Sequence, residues 1–124
     1  MLADAPVQAF VPVTDLDRAA GFYVDTLGLA LVERNPIAVV LDIAGTTVRV
    51  TAVPDHRPPP GTTLGWTVTD AAATARWITE RGVEMLRFDG MHQDDDGIWI
   101  APGGDRVGWF ADPDGNTLSI TQPA

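Results

Sequence analysis

Val7, Ala9, Val11 and Val13 alternate with Gln8, Phe10 and Pro12, the period of a strand. Pro12 donates no ladder bond and places this strand near an end or an edge. The period then lengthens. Leu16, Ala19, Ala20, Tyr23 and Leu27 follow at helical spacing, opened by Asp15 as a cap and closed by Gly28. Residues 29–34 read as a short strand, Asn35-Pro36 as a turn, and 37–41 with 46–53 as a hairpin around Gly45. Four prolines stiffen the stretch 54–61. The order then returns: a strand at 63–69 with Leu64, Trp66 and Val68 on one face, and a helix capped by Asp70 and ended by Gly82. A further strand is expected at 83–88. Residues 90–104 read as irregular, with a short strand at 98–101 turning at Pro102-Gly103-Gly104. Trp66, Trp77 and Phe22 are assigned to the core.

The closing segment is the most sharply specified. Asp112-Pro113-Asp114-Gly115 suits a type I turn followed by a left-handed glycine, a common three-residue hairpin loop. This places Asp112 opposite Asn116, Phe110 opposite Leu118 and Trp109 opposite Ser119. Opposite residues share a face. Phe110, Leu118 and Ile120 then face a core, while Trp109, Ser119 and Thr121 face away, an aromatic among hydroxyls that suits a pocket wall.

The chain repeats. Val13-Thr14-Asp15 returns as Val68-Thr69-Asp70, and Gly45-Thr46-Thr47-Val48 as Gly115-Asn116-Thr117-Leu118. The second copy is longer, and the irregular 90–104 stretch takes up the difference. The expectation is one α+β domain, 1–124, made of two tandem βαβββ units, 6–53 and 62–124, with 54–61 as linker and the strands forming a curved mixed sheet. Each helix covers one sheet face and leaves the other to enclose something.

Charge and chemistry narrow the possibilities. A net charge of −9 argues against nucleic acid and anionic membranes as partners. No cysteine is present, no basic residue precedes Arg18, and no apolar run is long enough to span a bilayer. The expected location is cytoplasmic. His56 sits in the proline-rich linker and His92 beside Asp94-Asp95-Asp96, both read as solvated loops. No Ser-His-Asp order or glycine-rich phosphate loop occurs.

Val13, Asp15, Leu16, Ala19, Phe22 and Tyr23, then Leu27-Gly28-Leu29, then Asp112 to Asn116 carry a resemblance. The chain resembles the vicinal oxygen chelate superfamily, which includes glyoxalase I, extradiol dioxygenases, fosfomycin-resistance transferases and bleomycin-resistance proteins. The resemblance implies a ligand cavity on the concave sheet faces. It also implies four metal-ligand positions, which fall here on Gln8, Arg49, Thr63 and Ser119. Arginine offers no lone pair. A divalent ion about 4 Å from a guanidinium is repelled by roughly 8 kcal/mol at an effective dielectric of about 20. No metal and no cofactor are therefore expected.

The reading that results is a metal-free binder of a small aromatic or oxygen-rich molecule, similar to the bleomycin-resistance type. Its expected ligand-binding residues are Gln8, Phe10, Arg49, Thr63, Met91, Trp99, Trp109 and Ser119. Arg49 is expected on the face of Ile37, Val39 and Thr51, in one cavity with Trp109. The resemblance also implies a homodimer. The alternatives are a lyase, dioxygenase or isomerase acting on a small carbonyl or phenolic substrate, and a protein-interaction module.

Overall fold

A computed structural model describes residues 1–124, which divide into two compact units, Met1–Arg57 and Pro58–Ala124. Each unit runs strand, helix, three strands, and hydrogen bonding gathers each unit's strands into its own four-stranded mixed sheet. The α+β, tandem βαβββ organisation expected from the repeat is present.

In the first unit, β1 (Gln8–Val13) leads into α1 (Leu16–Ala20), then β2 (Ala30–Arg34), β3 (Ala38–Ile43) and β4 (Thr46–Ala52). The sheet order is β1-β4-β3-β2, with β1 and β4 parallel. Asp15 caps α1 by accepting from the Arg18 amide at 3.0 Å. The helix then widens into a π-helical segment, Gly21–Thr26, closed by the Leu27 amide on the Phe22 carbonyl at 2.9 Å. Gly28 ends it at φ 72°, a conformation glycine adopts without strain. Val11, Val13, Val39, Leu41, Val48 and Val50 pack beneath Ala19, Phe22, Tyr23 and Leu27 as a buried core.

The β3–β4 register corrects one expectation. Ala44 and Gly45 form a two-residue loop with φ of 48° and 90°, and Ile43 stands opposite Thr46. Positive φ at both loop residues matches the strand twist. That loop places Val40, not Val39, opposite Arg49. Val39 pairs with Val50 and is fully buried on the helix side, and Ile37 lies before the strand, two-thirds exposed. A single-residue offset exchanges the two faces of a strand.

In the second unit, β5 (Thr62–Thr67) leads into α2 (Ala71–Glu80), then β6 (Trp99–Ile100), β7 (Arg106–Ala111) and β8 (Thr117–Gln122), in the order β5-β8-β7-β6. Asp70 caps α2 through the Ala73 amide at 2.9 Å, and Gln122 Oε1 takes the Ala71 amide at 2.9 Å. The buried stripe of α2 is Ala71, Ala75 and Ile78, packed with Ile98, Phe110, Leu118 and Ile120 in the unit's core. Trp66 stacks on Phe110 at 6.0 Å. Gly108 admits Ile98 and Met85 close over β7, since a Cβ there would lie 2.9 Å from both.

The closing hairpin has the expected register. Trp109 pairs with Ser119 and Phe110 with Leu118. The Gly115 amide reaches the Asp112 carbonyl at 2.9 Å, and the Asp112 amide reaches the Asn116 carbonyl at 3.0 Å. Buried Asp112 accepts from the amides of Asp114 and Asn116 and from Asn116 Nδ2.

Two expectations fail here. Residues 83–88 form no strand, and the two-residue β6 takes the outer sheet position instead. The segment is held by side chains. The Arg87 guanidinium donates to the carbonyls of Asp94 and Asp95, and the Gln93 side chain bridges the Leu86 and Gly97 carbonyls and the Phe88 amide. Trp77 is not in the core. It is 38% exposed, one position off the buried stripe, with the Arg81 guanidinium 3.6 Å from its ring centroid. Phe22, its counterpart in the repeat, lies where the first helix widens, whereas α2 stays regular.

Candidate functional site

Each sheet buries one face against its helix and leaves an open face, and the expected site residues divide between the two open faces. On the first unit, Phe10 of β1 stands beside Arg49 of β4, Arg49 beside Val40 of β3, and Val40 beside Glu33 of β2. Gln8 and Thr47 form the neighbouring pair along the same face. Phe10 is 60% exposed. The Arg49 guanidinium engages no carboxylate and no hydrogen-bond acceptor. Glu33 instead takes the Asn35 amide nitrogen at 3.0 Å, and Asp42 caps its own hairpin through the Gly45 amide at 3.1 Å. This face offers one uncommitted cation beside an exposed aromatic ring.

On the second unit, Trp109 stands at the centre of three aromatic rings. Phe88 meets it edge-on at 5.3 Å between centroids, and Trp99 lies tilted at 6.1 Å. Trp99 pairs with Val107 and so shares the Trp109 face. Ser119 stands opposite Trp109 on one side and opposite Gly65 on the other. A Cβ on Gly65 would fall 2.5 Å from the Ser119 hydroxyl, so the missing side chain gives that hydroxyl room. Thr63 lies where the β5–β8 register shifts, between Thr62 and Leu64. Its Oγ1 is closed off from solvent and has no hydrogen-bond partner. Met91 is half-buried and turns back on Phe88, its amide on the Phe88 carbonyl at 3.2 Å.

Gln8, Phe10 and Arg49 are thus brought together on one sheet, and Thr63, Trp99, Trp109 and Ser119 on the other. Phe88 completes the aromatic group and was missed as the end of a strand. The signal was Asp89-Gly90 directly after it, a turn pair that ends a strand and leaves the preceding aromatic at a bend.

The residues do not fit a metal. No three His, Asp or Glu side chains converge. Of the four positions that the resemblance points to, Gln8 is a weak neutral donor, Thr63 and Ser119 are hydroxyls, and Arg49 is a cation. The Asp94–Asp96 stretch is structurally committed: Asp94 accepts from the amides of Asp96 and Ile98, and Asp96 pairs with Arg76 at 3.0 Å.

The sequence profile of the Glyoxalase/Bleomycin resistance protein/Dioxygenase superfamily matches residues 5–120, and the chain belongs to this superfamily. It is similar to a superfamily member of known structure from Sphaerobacter thermophilus, with 28% identity over 98% of this chain and 99% of the other and a TM-score of 0.74. It is equally similar to TnmS3, an antibiotic binding protein from a Streptomyces species, with 28% identity over 100% and 99% of the two chains and a TM-score of 0.74. A lactoylglutathione lyase from Agrobacterium tumefaciens shares the fold alone, at 20% identity over 96% and 93% of the chains and a TM-score of 0.68. No protein in the curated set gives a significant match. No helix is long and apolar enough to cross a membrane.

Proposed function

We propose that the chain binds a small aromatic or oxygen-rich organic molecule, a drug or a metabolite, on its open sheet faces and without a metal. The observation that carries this reading is Trp109 flanked by Phe88 and Trp99 on a sheet face turned away from the helix. Aromatic side chains in such an arrangement supply large contact area and defined stacking geometry. Antibiotic binding by a relative 28% identical over the whole chain supports the same class of ligand.

On the first unit's open face Arg49 offers a guanidinium fork to a carboxylate or phenolate, Gln8 a hydrogen bond and Phe10 apolar contact. On the second unit's open face Thr63 and Ser119 offer hydrogen bonds to the molecule held by Trp109, and Met91 offers apolar contact. Titration of the full chain with planar aromatic carboxylates, phenols and antibiotics in the presence of chelator tests the reading. Saturable binding that weakens in Trp109→Leu supports it. Binding that appears only after a divalent metal is added contradicts it.

The chain also pairs with a second copy in this reading. Every residue of the outer strand β2 is exposed, Leu31 and Val32 among them, and a bare apolar strand edge favours cover.

A further inference from the structure

We infer that the open face of the second unit selects an uncharged planar aromatic molecule carrying a carbonyl or phenol oxygen. The inference rests on the binding role just proposed for Trp109 and adds the chemistry of what is bound. Alternation and register decide which side chains share the Trp109 face. Nearest are Trp99, Val107, Ala111, Thr117, Ser119 and Thr121, and beyond β8 lie Gly65 and Thr63 of β5. None is ionisable. Arg106 pairs with Gln122, whose side chain serves the first amide of α2, so that cation belongs to the opposite face. An anionic group laid on this face would lose its hydration and meet no counter-charge from the strands, Arg87 of the flanking segment being held by the carbonyls of Asp94 and Asp95, and an ammonium would exchange its hydration for ring faces alone.

The polar groups there are hydroxyls, which both donate and accept. Thr63 Oγ1 has no partner in the protein, and Ser119 is given room by Gly65. A buried hydroxyl without a partner destabilises the fold, and a ligand oxygen relieves that cost. Thr63 is only half-buried as a residue. A one-step χ1 rotation, exchanging hydroxyl and methyl, is the movement by which its oxygen would reach a bound ligand.

The test uses three matched probes on the full chain at neutral pH by titration calorimetry: 2-naphthol, 2-naphthoate and 2-naphthylmethylammonium. We expect the binding lost in Trp109→Leu to be about tenfold or more tighter for 2-naphthol than for either charged probe. Thr63→Val should weaken 2-naphthol by roughly three- to tenfold, the worth of one neutral hydrogen bond. A melting curve accompanies the variant, and a fold at least as stable as the parent's excludes unfolding as the cause. If 2-naphthoate or the ammonium binds as tightly as 2-naphthol, and both lose affinity in Trp109→Leu, the aromatic site stands and the selection of an uncharged ligand is overturned. Unchanged 2-naphthol affinity in Thr63→Val also overturns it. If none of the three probes binds, both this inference and the binding role of Trp109 fall.

Discussion

Trp109 and Ser119 stand directly opposite each other on β7 and β8, and Gly65 on β5 completes the row. The row couples a turn, a gap and a surface. The Asp112–Asn116 turn sets the register, the missing Gly65 side chain leaves space for the Ser119 hydroxyl, and the result is a wide indole beside an open polar strip. Gly65→Ala puts a methyl where the Ser119 hydroxyl lies. The hydroxyl can rotate away, so the expected loss of stability is about 1 kcal/mol, at the low end for overpacking. Chemical denaturation checks it, and Gly65→Ala combined with Ser119→Ala should recover most of the loss, since neighbouring substitutions are not additive.

The closing turn should be the more sensitive point. Asp112→Ala removes the acceptor for two backbone amides and for Asn116 Nδ2, in a buried setting. Unsatisfied buried donors cost about 1–3 kcal/mol each, and some will find water at the loop, so a net loss of roughly 3–5 kcal/mol is expected. A denaturation midpoint close to the parent's would show that the turn holds without its carboxylate.

How far the sequence disclosed this structure depended on how uniquely each stretch specified its geometry. Asp112-Pro113-Asp114-Gly115 suits one turn, and the strand register beyond it was legible to the residue. The β3–β4 loop was not, because it uses Ala44 at φ 48°, and alanine carries no signal for that conformation. The register of Arg49 therefore came out one residue off, with Val39 where Val40 stands, although its side chain still lies on the open face. Phe88 was hidden for a different reason. The path of 83–98 is set by the Arg87 and Gln93 side chains reaching carbonyls across the loop, and hydrophobic periodicity does not record such bonds. Trp77 was misplaced because helical spacing gives the period of a buried stripe more firmly than its edge.

Arg49 should act on ligand and not on the fold. It has no ion-pair partner to lose, so Arg49→Ala should melt within about 0.5 kcal/mol of the parent, as surface substitutions usually do. Affinity of the first unit's face for an aromatic carboxylate should fall by about 1.5–3 kcal/mol, the scale of a charged hydrogen bond. Parent-like affinity would remove Arg49 from ligand binding, and outright unfolding would make it structural.

Thr63→Val should stabilise the protein while weakening ligand binding. Replacing the partnerless hydroxyl by a methyl removes a desolvation cost of about 1–3 kcal/mol, offset in part by the fit of the extra methyl. Thermal melts of parent and variant without ligand check the sign. A lower melting temperature would mean that the hydroxyl has a partner in solution.

Elemental analysis of the purified chain should find no stoichiometric zinc, nickel, manganese or iron, and chelator should leave the melting temperature unchanged. About one equivalent of any of them per chain would overturn the argument from Arg49 and the hydroxyls.

The face around Trp109 is proposed to bind a small aromatic molecule without metal. The most direct measurement is titration calorimetry of parent and Trp109→Leu, both in chelator, against the same panel of planar aromatic phenols, carboxylates and antibiotics. The parent should show a saturable ligand whose affinity falls about tenfold or more in the variant, as loss of an aromatic contact at a binding centre does. Equal affinity in parent and variant, or binding restored only by a divalent metal, would contradict it.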